Sequence, residues 1–202
     1  MGRIKQYSRD DILEKAMQLF WLHGYRGVST RMLVDEMAVN KKSIYSEFGS
    51  KQNLFHAALD RYLVNVVPER FAALNAADAG LSAVSDTLDR FAGAASRKGS
   101  RKGCFLCNAS LEMANEDKTV RDLAQRYHSA IKASFSKPLD NSRNSGELPE
   151  EFDVDAWSSF LTTTAIGVFA LIRSGADSVT LGETAELVKS QLYFARSDRR
   201  FD

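Results

Sequence analysis

The sequence predicts an all-α fold of about nine helices, and three observations lead to this prediction. Apolar residues recur at spacings of three and four along most of the chain, which is the period of a helix with one buried face. Short alternating runs that would indicate strands are few, and the 202 residues include only three prolines. The composition is 44% hydrophobic and 26% charged, which is typical of a globular chain and not of a disordered one.

Four helices are predicted in the first third of the chain. The first opens at Ser8, whose side chain is suited to an N-cap, and stops at Gly24. Ser29 or Thr30 caps the second helix, the third runs over about 40–49, and the fourth opens at the cap residue 50 and extends to 66. Pro68 must end or kink the fourth helix, because its ring clashes with the preceding turn.

Five further helices follow, over 81–96, 104–115, 119–135, 154–174 and 181–194. The segment 97–103 is rich in glycine, serine and basic residues and is predicted to be a loop. The segment 137–149 mixes proline, asparagine, serine and glycine, so it is predicted to be the one substantial linker. Residues 196–202 are expected to form a frayed, charged tail.

Targeting and membrane signals are weak. The longest uncharged apolar stretch, residues 157–172, has 16 residues and includes hydroxyl side chains, which is short of the roughly 20 residues that a bilayer requires. The first ten residues contain no apolar segment after their basic residues, so no secretory signal is expected. Two cysteines three positions apart cannot form a disulfide framework. We therefore expect no membrane partner and a cytoplasmic location.

The charge of the chain is unevenly distributed, although the net charge is only +1. Residues 1–51 contain nine basic and six acidic side chains, a net charge of +3, and the remainder carries −2. A basic N-terminal quarter on a mildly acidic body suggests a small module that binds a polyanion.

The second and third predicted helices are short and joined by a tight turn, which is the form of a helix-turn-helix. If Ile44 and Phe48 anchor the third helix to the core, its polar residues project outward. These are Lys42 and Ser46, flanked by Lys41, Ser43 and Tyr45. Lysine and serine can donate to base edges or phosphates, so this face suits a DNA major groove. On periodicity alone, the alternative is an ordinary solvated helix face.

A longer pattern resembles the N-terminal signature of the tetracycline-repressor (TetR) family of bacterial transcriptional regulators. The resemblance covers about residues 8–56 and depends on residues in a fixed order and spacing: Gly24-Tyr25, Ser29-Thr30-Arg31, Leu33, Val39, Ile44-Tyr45, Phe48, Ser50-Lys51 and Leu54-Phe55. It implies a helix-turn-helix DNA-binding domain over 1–50 and a helical effector-binding and dimerisation domain over 51–202. It also implies a dimeric regulator, expected to be a repressor that a small apolar or amphipathic ligand releases from a palindromic double-stranded operator.

The residues that match the usual DNA contacts of the family are Thr30, Arg31, Lys41, Lys42, Ser43, Tyr45, Ser46 and Lys51. Two departures from the family pattern matter. Ala38 occupies the position of the turn glycine, at a cost of roughly 1 kcal/mol if the turn needs a positive φ. Lys42 and Ser46 also differ from the residues common there, so the operator of a relative cannot be assumed. Glu47 has two open interpretations, acceptance from cytosine or a pair with Lys51.

Small residues form a stripe along one face of the helix predicted over 154–174. Small side chains allow helices to approach closely, and the opposite face is large and apolar, so this helix has two faces to bury. The resemblance favours a dimer contact formed by the last two helices of each subunit, and an internal helix of one monomer is the alternative. The residues expected at this interface are Ser159, Thr163, Gly167, Ala170, Ser174, Val188 and Leu192.

Aromatic and polar residues of the second half could line an effector pocket, although each could equally be plain core. The residues chosen are Phe105, Asn108, Glu112, Tyr127, Trp157, Phe160 and Phe169. The three histidines lie far apart and form no metal-ligand pattern, so neither a metal nor a cofactor is expected.

Cys104 and Cys107 leave a second class of function open. In one interpretation they are redox-active thiols of a sensing regulator or of an oxidoreductase; in the other they are small buried hydrophobes. No βαβ pattern surrounds them, and no catalytic triad, nucleotide loop or carboxylate pair is evident, so an enzyme is not expected. A helical dimer that has lost DNA binding is a third hypothesis, which the retained Arg31, Tyr45 and Lys51 argue against.

Overall fold

A computed structural model describes residues 8–96 and 100–197 of the chain. Those residues form ten α-helical elements, nine of them longer than one turn, and contain no strand, so the predicted all-α class is confirmed. The elements are α1 (Arg9–Gly27), α2 (Thr30–Met37), α3 (Lys41–Phe48), α4 (Lys51–Arg61), α5 (Val67–Arg70), α6 (Leu81–Ala94), α7 (Phe105–Met113), α8 (Lys118–Asn144), α9 (Val154–Ser174) and α10 (Ser178–Ser197). A π-helical turn covers Tyr62–Val66, and 3₁₀ turns cover Ala72–Asn75 and Ser100–Lys102.

The first four helices begin at the predicted caps. The side chains of Ser8, Ser29, Asn40 and Ser50 each accept a hydrogen bond from the backbone N–H three residues later, which satisfies one of the unpaired donors of a helix start. The predicted stop at Gly24 is wrong in part. Gly24 has non-helical angles of φ 75° and ψ 172°, but the chain re-enters the helix and continues to Gly27.

The described residues divide into two compact units. Unit 1 contains 8–67 and 105–125, and unit 2 contains 68–96, 100–104 and 126–197. The division follows packing, and α7 is grouped with the N-terminal helices. The functional boundary at residue 50 stays a prediction.

The core of unit 1 is an aromatic cluster. In it α1 packs against α4 and α7. Phe55 of α4 lies 5.1 Å from the ring of Phe20 and 5.8 Å from the ring of Phe105, both edge-to-face, and Trp21 and Tyr62 extend the same cluster. Edge-to-face pairs of this kind add about 0.5 to 1.5 kcal/mol each beyond the area that they bury. This packing gives the short helices α2 and α3 a rigid base.

In unit 2, α6 packs against both α9 and α10. Phe91 of α6 lies at the centre, 5.4 Å from the ring of Phe71 and 4.9 Å from the ring of Phe169. Phe135 of α8 completes this second core against Phe71.

The predicted linker over 137–149 is wrong over 137–144, which are helical, whereas 145–149 lie outside any helix. Helix α8 passes through Pro138 and ends only at Asn144. Contacts beyond the proline hold the helix: Leu139 is fully buried, Asn141 donates to the carbonyls of Ala77 and Ala79, and the hydroxyl of Ser142 accepts from the N–H that opens α6. Tertiary contacts therefore override the local breaker signal.

Two other boundaries differ from the predictions. Pro68 does not end the fourth helix; a π-helical turn precedes it, and the proline lies in the first turn of α5, where a missing N–H is tolerated. Helix α10 begins at 178 and extends to 197, so part of the expected tail is helical, and 198–202 lie outside the described residues. Residues 97–99 of the predicted basic loop also lie outside them.

Helix α9 matches its predicted bounds, but it is longer than the uncharged stretch from which a membrane span was judged too short. The helix has 21 residues and is long and apolar enough to cross a membrane, so length does not exclude a span. Eight of its residues are buried within unit 2, as in the core helix of a folded domain.

Candidate nucleic-acid interface

Helix α3 presents a polar face to solvent. Ile44 and Phe48 are 1% and 7% exposed and anchor it, as the spacing predicts. Lys41, Lys42 and Ser46 are exposed on the other side. A two-turn helix with a buried seam and an exposed basic face has the dimensions to enter a major groove.

Tyr45 links the two helices of the motif. Its hydroxyl lies 3.0 Å from the hydroxyl of Thr30, the first residue of α2, and the ammonium of Lys41 lies 5.6 Å from its ring centroid. Two of the predicted DNA contacts therefore hold each other in place across the turn. A hydroxyl has one proton to donate, so the member of this pair that accepts the hydrogen bond can still donate to a DNA phosphate.

Arg31 projects from the first turn of α2 with 91% of its side chain exposed. It lies 3.7 Å from Asp35 one turn later. An exposed pair of this kind contributes less than about 1 kcal/mol, so a phosphate can replace the carboxylate at small cost.

The tight turn between α2 and α3 adopts a left-handed conformation at Ala38, with φ 53° and ψ 33°. A side chain in this region costs about 1 to 2 kcal/mol relative to right-handed helix, and glycine avoids the cost. The sequence-based concern about Ala38 is therefore justified. After this turn, the side chain of Asn40 accepts the N–H of Ser43 at 2.8 Å and so caps the start of α3.

Lys51 opens α4 and lies half-buried, with its ammonium 4.4 Å from the ring centroid of Tyr25. Burial lowers the pKa of Lys51, and the negative charge of Glu112 acts in the opposite direction. The aromatic face holds the cation at the edge of unit 1.

Glu47 forms an ion pair with Arg9 of α1, at 3.6 Å. The guanidinium of Arg9 also lies 5.0 Å from the ring centroid of Phe48. These contacts connect the last turn of α3 to α1, and sequence spacing gave no indication of the Arg9 partner.

Asp117 is an anchor of α4 that sequence reasoning missed. One carboxylate oxygen accepts from Gln52 at 2.8 Å and lies 2.7 Å from His56 Nε2; the other accepts the N–H groups of Thr119 and Val120 and so caps α8. Burial alone raises the pKa of Asp117, but the hydrogen bonds from Gln52, His56 and Val120 outweigh it and hold the pKa below its usual value. The available sequence signal was an aspartate two residues before the predicted start of a helix at 119.

Two family profiles match the chain. The profile described as "Bacterial regulatory proteins, tetR family" matches residues 12–58, and "Tetracyclin repressor-like, C-terminal domain" matches residues 80–186. The HTH-type transcriptional repressor ComR of Escherichia coli K12 is 30% identical over 185 residues, which are 91% of this chain and 88% of ComR. The chain belongs to the TetR family.

Two solved structures of regulators have a fold similar to that of this chain. A cysteine-substituted variant of the regulator CifR, solved with a 26-bp double-stranded operator DNA, superposes with a TM-score of 0.82 at 26% identity, covering 93% of this chain and 98% of that one. The reduced form of E. coli NemR has a TM-score of 0.77 at 20% identity over 90% of this chain and 95% of its own, which supports the fold alone.

Members of the TetR family are DNA-binding transcriptional regulators, so this chain is a regulator and not an enzyme. The oxidoreductase alternative is therefore wrong, and a redox-sensing role is not favoured. Cys104 and Cys107 are 0% and 4% exposed, and the Cys104 thiol donates to the Tyr127 hydroxyl at 3.0 Å. Their burial fits the packing interpretation.

The residues expected to bind an effector fall into both units. Phe105, Asn108 and Glu112 belong to unit 1, where the first is part of the aromatic core and the last accepts two backbone hydrogen bonds. Unit 2 contains Tyr127, Trp157, Phe160 and Phe169. Of these, Tyr127 and Phe169 are buried and Phe160 is 48% exposed.

The residues expected at the dimer interface are accessible on α9 but buried on α10. On α9, Thr163, Gly167 and Ser174 are exposed and Ser159 and Ala170 are half-buried, so the small stripe lies on the accessible side of the helix. On α10, Val188 and Leu192 are only 3% and 4% exposed within unit 2. Their burial leaves almost no surface for a partner, which argues against these two as contact residues.

Proposed function

We propose that this TetR-family protein is a dimeric, sequence-specific repressor that a small apolar or amphipathic molecule releases from a palindromic operator. The exposed basic face of α3 on the rigid base of unit 1 carries the DNA-binding part of the proposal. The family and the repressor ComR support the direction of regulation. A protein that acts on DNA is expected in the cytoplasm, where a bacterial chromosome lies.

Within the interface, the contacts divide by chemistry. Lys42 and Ser46 are exposed at the centre of the α3 face and read base edges. Arg31, Lys51 and the Thr30–Tyr45 hydroxyl pair surround them and contact phosphates, which set register but carry no sequence information. Lys41 and Ser43 complete the contact set on either side.

The dimer forms through one face of α9 and one of α10. On a helical wheel, the small stripe of α9 lies beside Phe160 and Leu171, which are 48% and 41% exposed. On α10, a single face contains apolar residues that are each at least 60% exposed: Val179, Leu187, Tyr193 and Phe194. Exposed apolar side chains on two successive helices that both pack against α6 are typical of a protein–protein interface. We propose these α10 residues as contacts in place of Val188 and Leu192.

The effector site is proposed in unit 2, with Tyr127, Trp157 and Phe169 as the retained candidates, because Phe160 lies on the proposed dimer face of α9. Phe105 and Glu112 lie in unit 1 and are therefore not retained for a site in unit 2. A ligand releases DNA only if it binds one conformation of the dimer better than the other. A compound screen for a higher melting temperature should therefore yield ligands that also weaken operator binding; stabilising ligands that leave operator affinity unchanged would contradict the coupling.

The DNA-binding part is tested with two lysine variants on an operator selected from genomic DNA. Lys42→Ala should change the base preference at defined positions of each half-site, by about 1 to 3 kcal/mol per contact. Lys51→Ala should weaken binding to every sequence and reduce the salt slope by about one. Lys132→Ala is the matched control, because this lysine lies in unit 2 and pairs with Asp155. Unaltered base preference in Lys42→Ala would refute the assignment of α3.

A further inference from the structure

Glu112 of α7 reaches the kink of α1 at close range. The N–H groups of Tyr25 and Arg26 donate to its two carboxylate oxygens at 2.9 and 2.8 Å. A Cβ at position 24 would lie 2.7 Å from Glu112 Oε2, and Gly24 has a φ of 75°. Glycine is therefore required here for the backbone angle and for the approach of the carboxylate. Hydrogen bonds to a charged acceptor are about twice as strong as neutral ones.

The residue held by this carboxylate also supports Lys51. Tyr25 packs against Phe55 at 4.9 Å between ring centroids and against Phe20 at 6.3 Å. The exposed side of its ring carries the Lys51 ammonium at 4.4 Å. Because Tyr25 lies directly after the kink, a change in the path of the backbone there moves the ring on which the ammonium rests.

We propose that Glu112 is a positioning residue for DNA binding: by fixing the kinked end of α1, it holds the ring of Tyr25 where the Lys51 ammonium meets a DNA phosphate. The inference depends on the role of Lys51 given under the proposed function. Glu112, Tyr25 and Lys51 all lie in unit 1, and Glu112 is 87 residues away from Tyr25 in sequence.

A purely structural role for Glu112 makes a different prediction. If the carboxylate only stabilises the fold, its loss lowers the melting temperature but leaves the salt dependence of DNA binding unchanged. Simple electrostatics also predicts the opposite sign, because removing an acidic group near DNA strengthens binding. The salt slope therefore separates positioning from both alternatives.

The test uses the full chain and a labelled mixed-sequence duplex, with anisotropy measured between about 50 and 200 mM salt. Glu112→Gln keeps the shape of the side chain but loses its charge and one of its two acceptor oxygens. It should raise Kd about three- to eightfold near 0.1 M salt and reduce the salt slope by up to about one, since one phosphate contact contributes about 0.9 log unit per decade of salt. Glu116→Gln is the control of equal charge change: Glu116 pairs with the Arg26 side chain at 2.6 Å and is exposed, and this variant should keep the wild-type slope.

A second variant tests the same proposal if Glu112→Gln does not fold. Tyr25→Leu keeps the backbone N–H that Glu112 accepts but removes the aromatic face, and it should show the same loss of slope. In a Lys51→Ala background, Glu112→Gln should cause no further loss, because both changes remove one contact.

The outcomes distinguish the two proposals. If Lys51→Ala weakens binding while Glu112→Gln binds with the wild-type slope, or if the two losses add in full, the positioning role is refuted and the role of Lys51 stands. If Lys51→Ala itself changes neither Kd nor slope, the phosphate contact of the proposed function is refuted, and the positioning role is refuted with it.

Discussion

Substitution of Asp117 by alanine should destabilise the protein more than any other single change of a charged residue in unit 1. The carboxylate is 5% exposed and has four neighbouring donor groups: the side chains of Gln52 and His56 and the N–H groups of Thr119 and Val120. Loss of the helix cap costs about 1 kcal/mol. Loss of two buried hydrogen bonds to a charged group costs about 1.5 kcal/mol each. The expected total is about 4 kcal/mol.

Thermal unfolding followed by circular dichroism measures this effect. For a chain of this size, 1 kcal/mol shifts Tm by about 2 to 4 °C, so Asp117→Ala should lower Tm by about 10 °C at neutral pH. Asp117→Asn should lose about three quarters as much, because asparagine remains a good cap but its amide nitrogen cannot accept the hydrogen bonds of Gln52 and His56. Asp122→Ala is the matched control: its exposed pair with Lys118 contributes less than about 0.5 kcal/mol.

The pH dependence gives a second check on the same variant. The pKa of Asp117 is held below that of an aspartate in the unfolded chain, about 3.9. The stability that it contributes is therefore complete at neutral pH and is lost as the pH falls through the lowered value of the folded state. The Tm difference between wild type and Asp117→Ala should narrow below about pH 4. A Tm for Asp117→Ala equal to that of Asp122→Ala at neutral pH would refute the reasoning.

Three further predictions concern the turn, the dimer and the thiols. Ala38→Gly should raise stability by about 1 kcal/mol, seen as a Tm increase of about 3 °C, because glycine adopts the left-handed turn without strain; an unchanged or lower Tm contradicts this. Gly167→Leu should yield monomers in sedimentation, whereas Gly93→Leu should not; among the described residues a Cβ at either position meets no atom within 4 Å, so we expect a partner subunit to exclude the new side chain at 167. Replacing Cys104 and Cys107 together by serine should cost about 2 kcal/mol, because buried hydroxyls need partners, and should leave any effect of peroxide on operator binding unchanged; an oxidant response that disappears in this variant would favour the redox sensor.

Local signals in the sequence account for the elements that were predicted well. Ser8, Asn40 and Ser50 are caps whose hydrogen bonds reach only three residues along the chain, so their role can be read from neighbouring residues. The buried seam of α3 follows in the same way from the helical period. Even the strain at Ala38 was visible, because it depends on one residue and one turn.

Long-range contacts account for what was missed. Glu112 and Asp117 have partners 61 to 87 residues away, and no local pattern distinguishes a carboxylate that accepts backbone N–H groups from one that faces a ligand. Pro138 is a helix breaker by local rules, whereas the contacts that hold α8 beyond it come from residues 77–81, far away in sequence. Val188 and Leu192 show the same difficulty, because periodicity identifies an apolar face without showing whether the chain itself or a partner covers it.

The central claim is that two copies of the α3 face read a palindromic DNA sequence. The most direct test is selection of fragments from genomic DNA by the purified full chain, followed by footprinting and by the mass of the complex in solution. We predict one recurring palindrome with half-sites about 34 Å apart, or a multiple of that distance, occupied by one dimer or by dimers in pairs. Recovery of fragments without a shared motif, or binding by single chains to single half-sites, would contradict the claim.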